Sequence, residues 1–231
     1  MFHTLRGLKK DIKEIGLLVK RIERSVLIKN YFKSQQINKI HLGSDVSKVE
    51  GWLCSDLAPR ASGSIYLDVS KKFPFKDESV HYIYSEHMIE HLVLDQAAFM
   101  LKECYRVLKP GGKIRLATPD FTRIMDLNIN PTSKINSEYI KWISTNFLNK
   151  SANFDSIEVV NQLFHGWKHQ FLYDQAYLSK MLDMNGFTQI KVCAYSHSED
   201  ENFRNLETHH LNVGNLDMVT FETLIVEAIK K

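Results

Sequence analysis

The chain is poor in cysteine and has no long apolar run. Its 231 residues include three cysteines, Cys54, Cys104 and Cys193, odd in number and far apart. That spacing excludes a disulfide framework, and the residues read as reduced, buried thiols of a cytoplasmic protein. No apolar stretch reaches the roughly 20 residues a membrane-spanning helix needs, and the N-terminus lacks the uninterrupted apolar core of a secretory leader. A cytoplasmic location is the expectation. An excess of one charge is also missing: 30 basic against 27 acidic residues leave +3. That is too little for the electrostatic footprint of a nucleic-acid binder, and no RNA- or DNA-binding motif is present, so no nucleic-acid partner is assigned. Internal repeats and low-complexity segments are absent.

What is there is the composition of a globular protein, 44% hydrophobic and 25% charged, enough for one domain with a good-sized core and small additions. We divide it into an N-terminal amphipathic helix within residues 1–36 and a domain over 37–231. Leu5, Leu8, Ile12, Ile15, Val19, Ile22 and Val26 are spaced 3-4-3-4-3-4 along a helix expected over 4–34, a seam of about three heptads. The other faces are mostly basic. The seam can pack on its own domain, join copies of the chain into a homo-oligomer, or rest on an anionic membrane surface.

From Ile37 onward the pattern changes to short strands, expected near 38–42, 51–56, 64–68, 80–85 and 112–118. A helix is expected over 95–109, with Asp95 as its cap and Ala97, Met100, Leu101, Cys104 and Leu108 as its inward stripe. Pro110-Gly111-Gly112 reads as a turn into the fifth strand. Residues 120–184 read as a helical cover, with segments near 121–127, 136–149, 156–165 and 174–184. Strands follow over 187–195 and 219–229. Strands alternating with helices predict an α/β fold with a mainly parallel sheet.

Ligands of such sheets lie beyond the carboxyl ends of the strands, so the residues ending each strand are the candidates. After the first strand come Gly43-Ser44-Asp45. Asp56 ends the second, where a carboxylate can accept hydrogen bonds from both ribose hydroxyls. Asp68-Val69 ends the third, with Phe73-Pro74-Phe75 as an apolar rim for an adenine. Ser85-Glu86-His87 ends the fourth and faces the middle of the crevice. Singly, each aspartate reads more simply as a turn former; their succession on consecutive strand ends is what points to a ligand. There is no G-x-G-x-x-G, and Asp56 follows Gly43 too closely for an ordinary crossover helix, so a pyrophosphate cradle is missing. A nucleoside without phosphates fits better, and S-adenosylmethionine is such a ligand.

His87-Met88-Ile89-Glu90-His91 matches the H-x-x-E-H zinc signature literally. Its place after a fourth strand is wrong for a zinc hydrolase, and no metal site is assigned. His165, His169, His209 and His210 read by default as surface or structural histidines.

The stretch from Lys39 to Asp120 resembles the class I S-adenosylmethionine-dependent methyltransferases of the type 11 group, in a subgroup with a shortened first crossover. LGSDVSKVEGWLCSDL stands for its LGCG-x4-GW-x-N-x-D, Phe73-Pro74-Phe75 for its LPF turn, Ser85–His91 for S-E-H-x-x-E-H, and Glu103–Gly112 for E-x-x-R-V-L-K-P-G-G. HGWKHQFLYD, the NGF turn and LIVEAIK extend the likeness through residues 37–231. The resemblance implies a Rossmann-like seven-stranded sheet whose last strand is antiparallel, and S-adenosyl-L-methionine as cofactor. It implies Gly43 and Ser44 against the methionine part, Asp56 at the ribose, Asp68 and Val69 at the adenine, and Ser85, Glu86 and His87 beside the sulfonium, with Leu42 and Leu57 also among the cofactor-binding residues. The chain departs from the family at Ser44 and Asp45, which replace Cys and Gly, and at His41, which replaces an acid.

The expected activity is methyl transfer to a small-molecule or glycan hydroxyl or amine. His87, and second His169, are the candidate bases, since an unshifted imidazole titrates near neutral pH. The alternative is a methyltransferase-like scaffold or partner subunit that has lost cofactor binding.

Overall fold

The computed structural model describes residues 20–231. The apolar runs expected as strands pair into one sheet: β1 (Lys39–Leu42), β2 (Leu53–Asp56), β3 (Ile65–Tyr66), β4 (Val80–Glu86), β5 (Leu108–Pro119), β6 (Phe187–Val192) and β7 (Thr223–Lys230). Their order is β3-β2-β1-β4-β5-β7-β6. Strands β1 to β5 run parallel, and β7 is antiparallel to both neighbours. Strand order reverses between β1 and β4, which fixes the crevice at their carboxyl ends.

Of the expected N-terminal helix, residues 20–34 are described and form α1; the seam from Leu5 to Val19 lies outside the described residues. The described seam residues do not face the domain: Ile22 is 59% and Val26 54% exposed. Instead Leu27, Ile28, Tyr31 and Phe32 pack on the core. The Tyr31 hydroxyl fastens the helix to the sheet, accepting from Lys39 N at 2.8 Å and lying 2.9 Å from the carbonyls of Lys39 and Gly51. Tertiary contact overrides the seam, because a hydrogen-bonded tyrosine and two aromatic-sized surfaces outweigh one isoleucine and one valine.

Helix α2 (Leu94–Val107) buries Ala97, Met100, Leu101 and Cys104 as expected, but Val93 precedes it without a side-chain cap and Asp95 sits in the first turn. Pro110-Gly111-Gly112 forms a bulge within β5, where the pairing skips from Val80↔Leu108 to Tyr82↔Lys113. A Cβ at Gly112 would stand 2.8 Å from the Lys109 carbonyl oxygen, so glycine is required there. Glu103 and Arg106 of α2, three residues apart, clamp the Phe73-Pro74-Phe75 turn. Glu103 accepts from Phe73 N at 2.7 Å, and Arg106 donates to Glu103, Asp77 and the Phe73 and Phe75 carbonyls. The clamp presses Phe73 and Phe75 into the core, 2% and 5% exposed. They are therefore core residues and not the rim of an adenine pocket.

The cover comprises α3 (Phe121–Ile129), α4 (Lys134–Asn146), α5 (Ser156–His165) and α6 (Gln175–Met184), capped by Asp120, Ser133, Asp155 and Asp174. Two short helices, α7 (His209–Val213) and α8 (Leu216–Glu222), precede β7. The strand expected from 219 thus starts at Thr223. Asn215 caps α8, and the buried Met218, Val219 and Glu222 recur at helical spacing.

Residues 43–52 join β1 to β2 without a helix, as the short spacing requires. The face left bare carries a transverse row in register, Cys54, His41, Tyr84, Arg115 and Glu227. The segment 194–208 covers it. Phe203 stacks on Trp52 at 6.2 Å, and Arg115, fully buried, donates at 2.6 Å to both Glu207 and Glu227. Burial alone would lower the Arg115 pKa, but the two carboxylates more than reverse this and raise it. Cys54 and Cys104 are buried free thiols, while Cys193 is half-buried. Among the described residues no helix is long and apolar enough to cross a membrane.

Candidate active site

A cavity of about 830 Å³ opens at the carboxyl ends of β1, β2 and β4, within the roughly 300–1,000 Å³ typical of small-molecule sites. Of the positions expected at the site, Gly43, Ser44, Asp56, Glu86, His87 and His169 line it. The other expected positions stand back from its wall. Leu42 and Ser85 are buried behind it, and Leu57 is 61% exposed. Asp68 and Val69 lie further along the strand ends, with Val69 packed on the core.

Gly43 has φ +68°, and a Cβ there would meet Met88 Cγ at 2.3 Å. Glycine therefore lets Met88 pack over the loop. The next residues hold the loop in place. Ser44 N donates to Ser55 O at 2.9 Å, and Asp56 accepts from Asp45 N at 3.1 Å and from Ala58 N at 2.7 Å. Asp45 adopts a left-handed φ of 47° and pairs with Arg60, which turns its side chain toward Arg60. A carboxylate has about four lone-pair sites, so Asp56 keeps acceptor capacity after these two bonds. The Ser44 hydroxyl is buried with no partner. Asp68 uses one oxygen on Ser70 N and Oγ, at 3.1 and 2.6 Å, and its other oxygen is 4.0 Å from Lys71. A hydroxyl in want of a partner, a carboxylate with open lone pairs and a further carboxylate on the next strand end suit a phosphate-free nucleoside with a polar tail.

The centre of the cavity holds a cluster of histidines and glutamates. His87 follows β4 in a left-handed conformation, φ 45°, and only Ile89–His91 after it are helical, as a 3-10 turn. The H-x-x-E-H residues are thus not spaced along an α-helix face. His87 Nδ1 lies 3.4 Å from Glu90 Oε1 and Nε2 lies 3.3 Å from Thr223 Oγ1. Thr223 donates its own proton to Val219 O, so His87 Nε2 must donate to it. Burial works against protonation of His87, but Glu90 outweighs it and the pKa is raised. Glu90, 0% exposed, is pushed up by burial and pulled below the usual carboxylate range chiefly by His87. With both ring nitrogens engaged, His87 has no lone pair free to act as a base.

His169 differs. Its Nδ1 is 2.6 Å from the Leu163 carbonyl oxygen, which can only accept, so Nδ1 carries the proton and Nε2 keeps a lone pair. Burial lowers its pKa, which keeps the ring neutral near pH 7. His209 stacks on His87 at 4.0 Å and 18°, and burial followed by the His87 charge lowers its pKa to about 3. Glu86 accepts from the backbone N–H groups of Thr208 and His209, each at 3.0 Å, and burial pushes its pKa up.

The opposite wall comes from the cover: Trp142, Ile143, Phe147, Leu163 and Trp167, with Asn212 and Val213 of α7. Trp167 and Lys168 have φ of 49° and 66°, a pair of strained residues that folds the chain back so that His169 returns to the cavity. Sequence reading missed His209 and Glu222, which reach the site only because the segment 194–222 folds over the sheet. A histidine pair opening a short, glycine-ended helix carries no periodic signal.

Residues 31–116 match a family described as methyltransferase domain. A curated relative in Mycolicibacterium smegmatis, named probable S-adenosylmethionine-dependent methyltransferase, is 36% identical over 100 residues, 41% of this chain. The match spans 36% of that relative's length. Among solved structures, a SAM dependent methyltransferase from Archaeoglobus fulgidus superimposes with a TM-score of 0.50 at 16% identity, covering 92% of this chain and 93% of its own. One from Mesorhizobium loti gives 0.49 at 17%, covering 84% and 91%. The resemblance read from the strand-end motifs and the expected sheet are both borne out.

Proposed function

We propose, from a methyltransferase-domain match over residues 31–116 on this sheet order, that the protein is an S-adenosylmethionine-dependent methyltransferase. The observation that carries this reading is the open cavity at the strand switch, with Asp56 and the Gly43-Ser44 loop on its wall. Asp45 points to Arg60, which speaks against a scaffold whose loop has closed the cleft.

Bound there, the cofactor supplies a methyl group already activated by its sulfonium. Ser44 and the Gly43 loop would hold the methionine part, Asp56 the ribose and Asp68 the adenine amino group. Leu57, exposed next to Asp56, would lie over the nucleoside. Glu86, fixed by Thr208 and His209, would border the sulfonium, where negative charge favours the cation.

Positioning supplies much of the rate in such in-line transfers. The apolar wall of Trp142, Phe147, Leu163 and Trp167 would take the body of the acceptor and hold water off. His87 would act as a positioning residue that keeps Glu90 ionised, and His169 Nε2 would act on the acceptor hydroxyl or amine. A small metabolite or a sugar hydroxyl suits a cavity whose apolar wall faces a cluster of histidines and glutamates.

Trp142 and Trp167 give the test a signal. Titration with S-adenosylmethionine and S-adenosylhomocysteine should change their fluorescence saturably, and S-adenosylhomocysteine should accumulate with a suitable acceptor. A flat fluorescence titration together with silent calorimetry sinks the reading.

A further inference from the structure

We propose that Glu90, His91 and His169 form a divalent transition-metal site facing the acceptor. The inference rests on the methyl-transfer reading for its use, but not for its existence. One ligand atom from each residue lies within 4.8 Å of the others. An ion about 2.0–2.2 Å from each would bring them closer, and the exposed His91 ring can make that movement by rotating its side chain.

The residues fit a ligand set. Glu90 is 0% exposed; its Oε2 accepts from Thr118 Oγ1 at 3.1 Å, and its Oε1 lies 3.4 Å from His87 Nδ1, which leaves lone pairs on both oxygens. His169 is locked by Leu163 in the tautomer whose Nε2 can bind a metal, the arrangement that orients metal-bound histidines generally. The rings of His91 and His169 meet at 5.0 Å and 67°. Imidazole lone pairs lie in the ring plane, so crossed planes can share an ion.

A second group, His87, His209 and Glu222, also brings its ligand atoms together. Its two rings are stacked 4.0 Å apart and nearly parallel, so no ion can lie in both planes. His87 Nε2 is also occupied by Thr223 Oγ1 at 3.3 Å. The crossed group is therefore the one assigned.

The ligands are held at a set spacing. The Glu90 carbonyl accepts from Gln170 N at 2.7 Å and Phe171 N at 3.2 Å, which ties the 3-10 turn to the segment carrying His169. Two imidazoles and one carboxylate suit Zn²⁺, Mn²⁺, Fe²⁺ or Co²⁺ better than Mg²⁺ or Ca²⁺, which prefer all-oxygen sets. Three protein ligands leave a position open to the cavity, where an acceptor oxygen would bind the cation and lose its proton more readily to water at the cavity mouth. In the metal-loaded protein His169 is then a ligand, and the acceptor is an oxygen compound.

The test is metal binding, measured without cofactor or acceptor. Dialysis of the full chain against micromolar Zn²⁺ or Co²⁺ should leave one equivalent per chain, with visible Co²⁺ absorption bands showing nitrogen ligation. His91→Ala, at an exposed position, and His169→Asn should each weaken binding by about tenfold or more, while His209→Ala should not. No bound equivalent, binding retained in either ligand variant, or binding lost in His209→Ala overturns the proposal. S-adenosylhomocysteine titration of the same samples shows separately whether the cofactor reading stands.

Discussion

Arg115→Met should be among the most damaging single substitutions in this chain, although Arg115 lies on the face of the sheet away from any ligand contact. Arg115 has 0% side-chain exposure and holds Glu207 and Glu227, also nearly inaccessible, at 2.6 Å each. It also donates to the His197 and Ala194 carbonyls. Removing one member of a buried ion group leaves charge without compensation, a loss of about 3–5 kcal/mol. For a chain of this size that corresponds to a fall in Tm of roughly 6–20 °C. Glu207 directly precedes Thr208 and His209, whose N–H groups hold Glu86, so cofactor affinity should weaken as well. The assay is urea unfolding followed by circular dichroism, with the triple variant Arg115→Met, Glu207→Leu, Glu227→Leu beside it. The triple variant should recover most of the loss, because an apolar group replaces the whole triad. A single-variant cost under about 1 kcal/mol would refute the claim that the triad fastens segment 194–208.

Stability should also respond to pH in a set direction. Burial lowers His41 to about 3, and burial with the His87 charge lowers His209 to about 3. Below the ordinary histidine value the unfolded chain takes up protons that the folded chain refuses. Stability is therefore complete above about pH 6.5 for these groups and falls as pH drops toward 3, by up to about 2.7 kcal/mol per pH unit for two residues. His87 runs the other way: its raised pKa makes its contribution fade as pH rises through it. Chemical denaturation between pH 4 and 9 should show a maximum near neutrality, and a flat profile would contradict the burial assigned to His41. Gly43→Ala should cost about 1–3 kcal/mol from a left-handed backbone and overpacking against Met88, and it should reduce cofactor binding; unchanged stability would mean that Met88 does not pack on Gly43.

The strands were legible because each is a short apolar run, and the missing first crossover helix because residues 43–52 cannot house one. The seven-strand count and the antiparallel last strand were legible only through the motif resemblance. What failed was tertiary. The 3-4 spacing of Ile22 and Val26 suggested a packing face, yet Tyr31 and Phe32 decide how α1 docks. Phe73 and Phe75 looked like a ligand rim, but the Glu103–Arg106 clamp draws them inward. His87 was the favoured base by position on a strand end. Its left-handed backbone and its bonds to Glu90 and Thr223 deny it a free lone pair, and only coordinates reveal that. His169 was named only as the second candidate base, in a segment expected to cover the crevice, whereas His209 arrives from a folded-over segment whose sequence carries no sign of the cavity they share.

Calorimetric titration of S-adenosylmethionine onto the wild-type chain and onto Asp56→Ala and Asp68→Ala tests the central claim most directly. The account predicts one saturable site per chain, weakened in each variant by about 1–3 kcal/mol, the cost of an unpaired polar group. No binding to the wild-type chain, or binding that both variants leave intact, would contradict it.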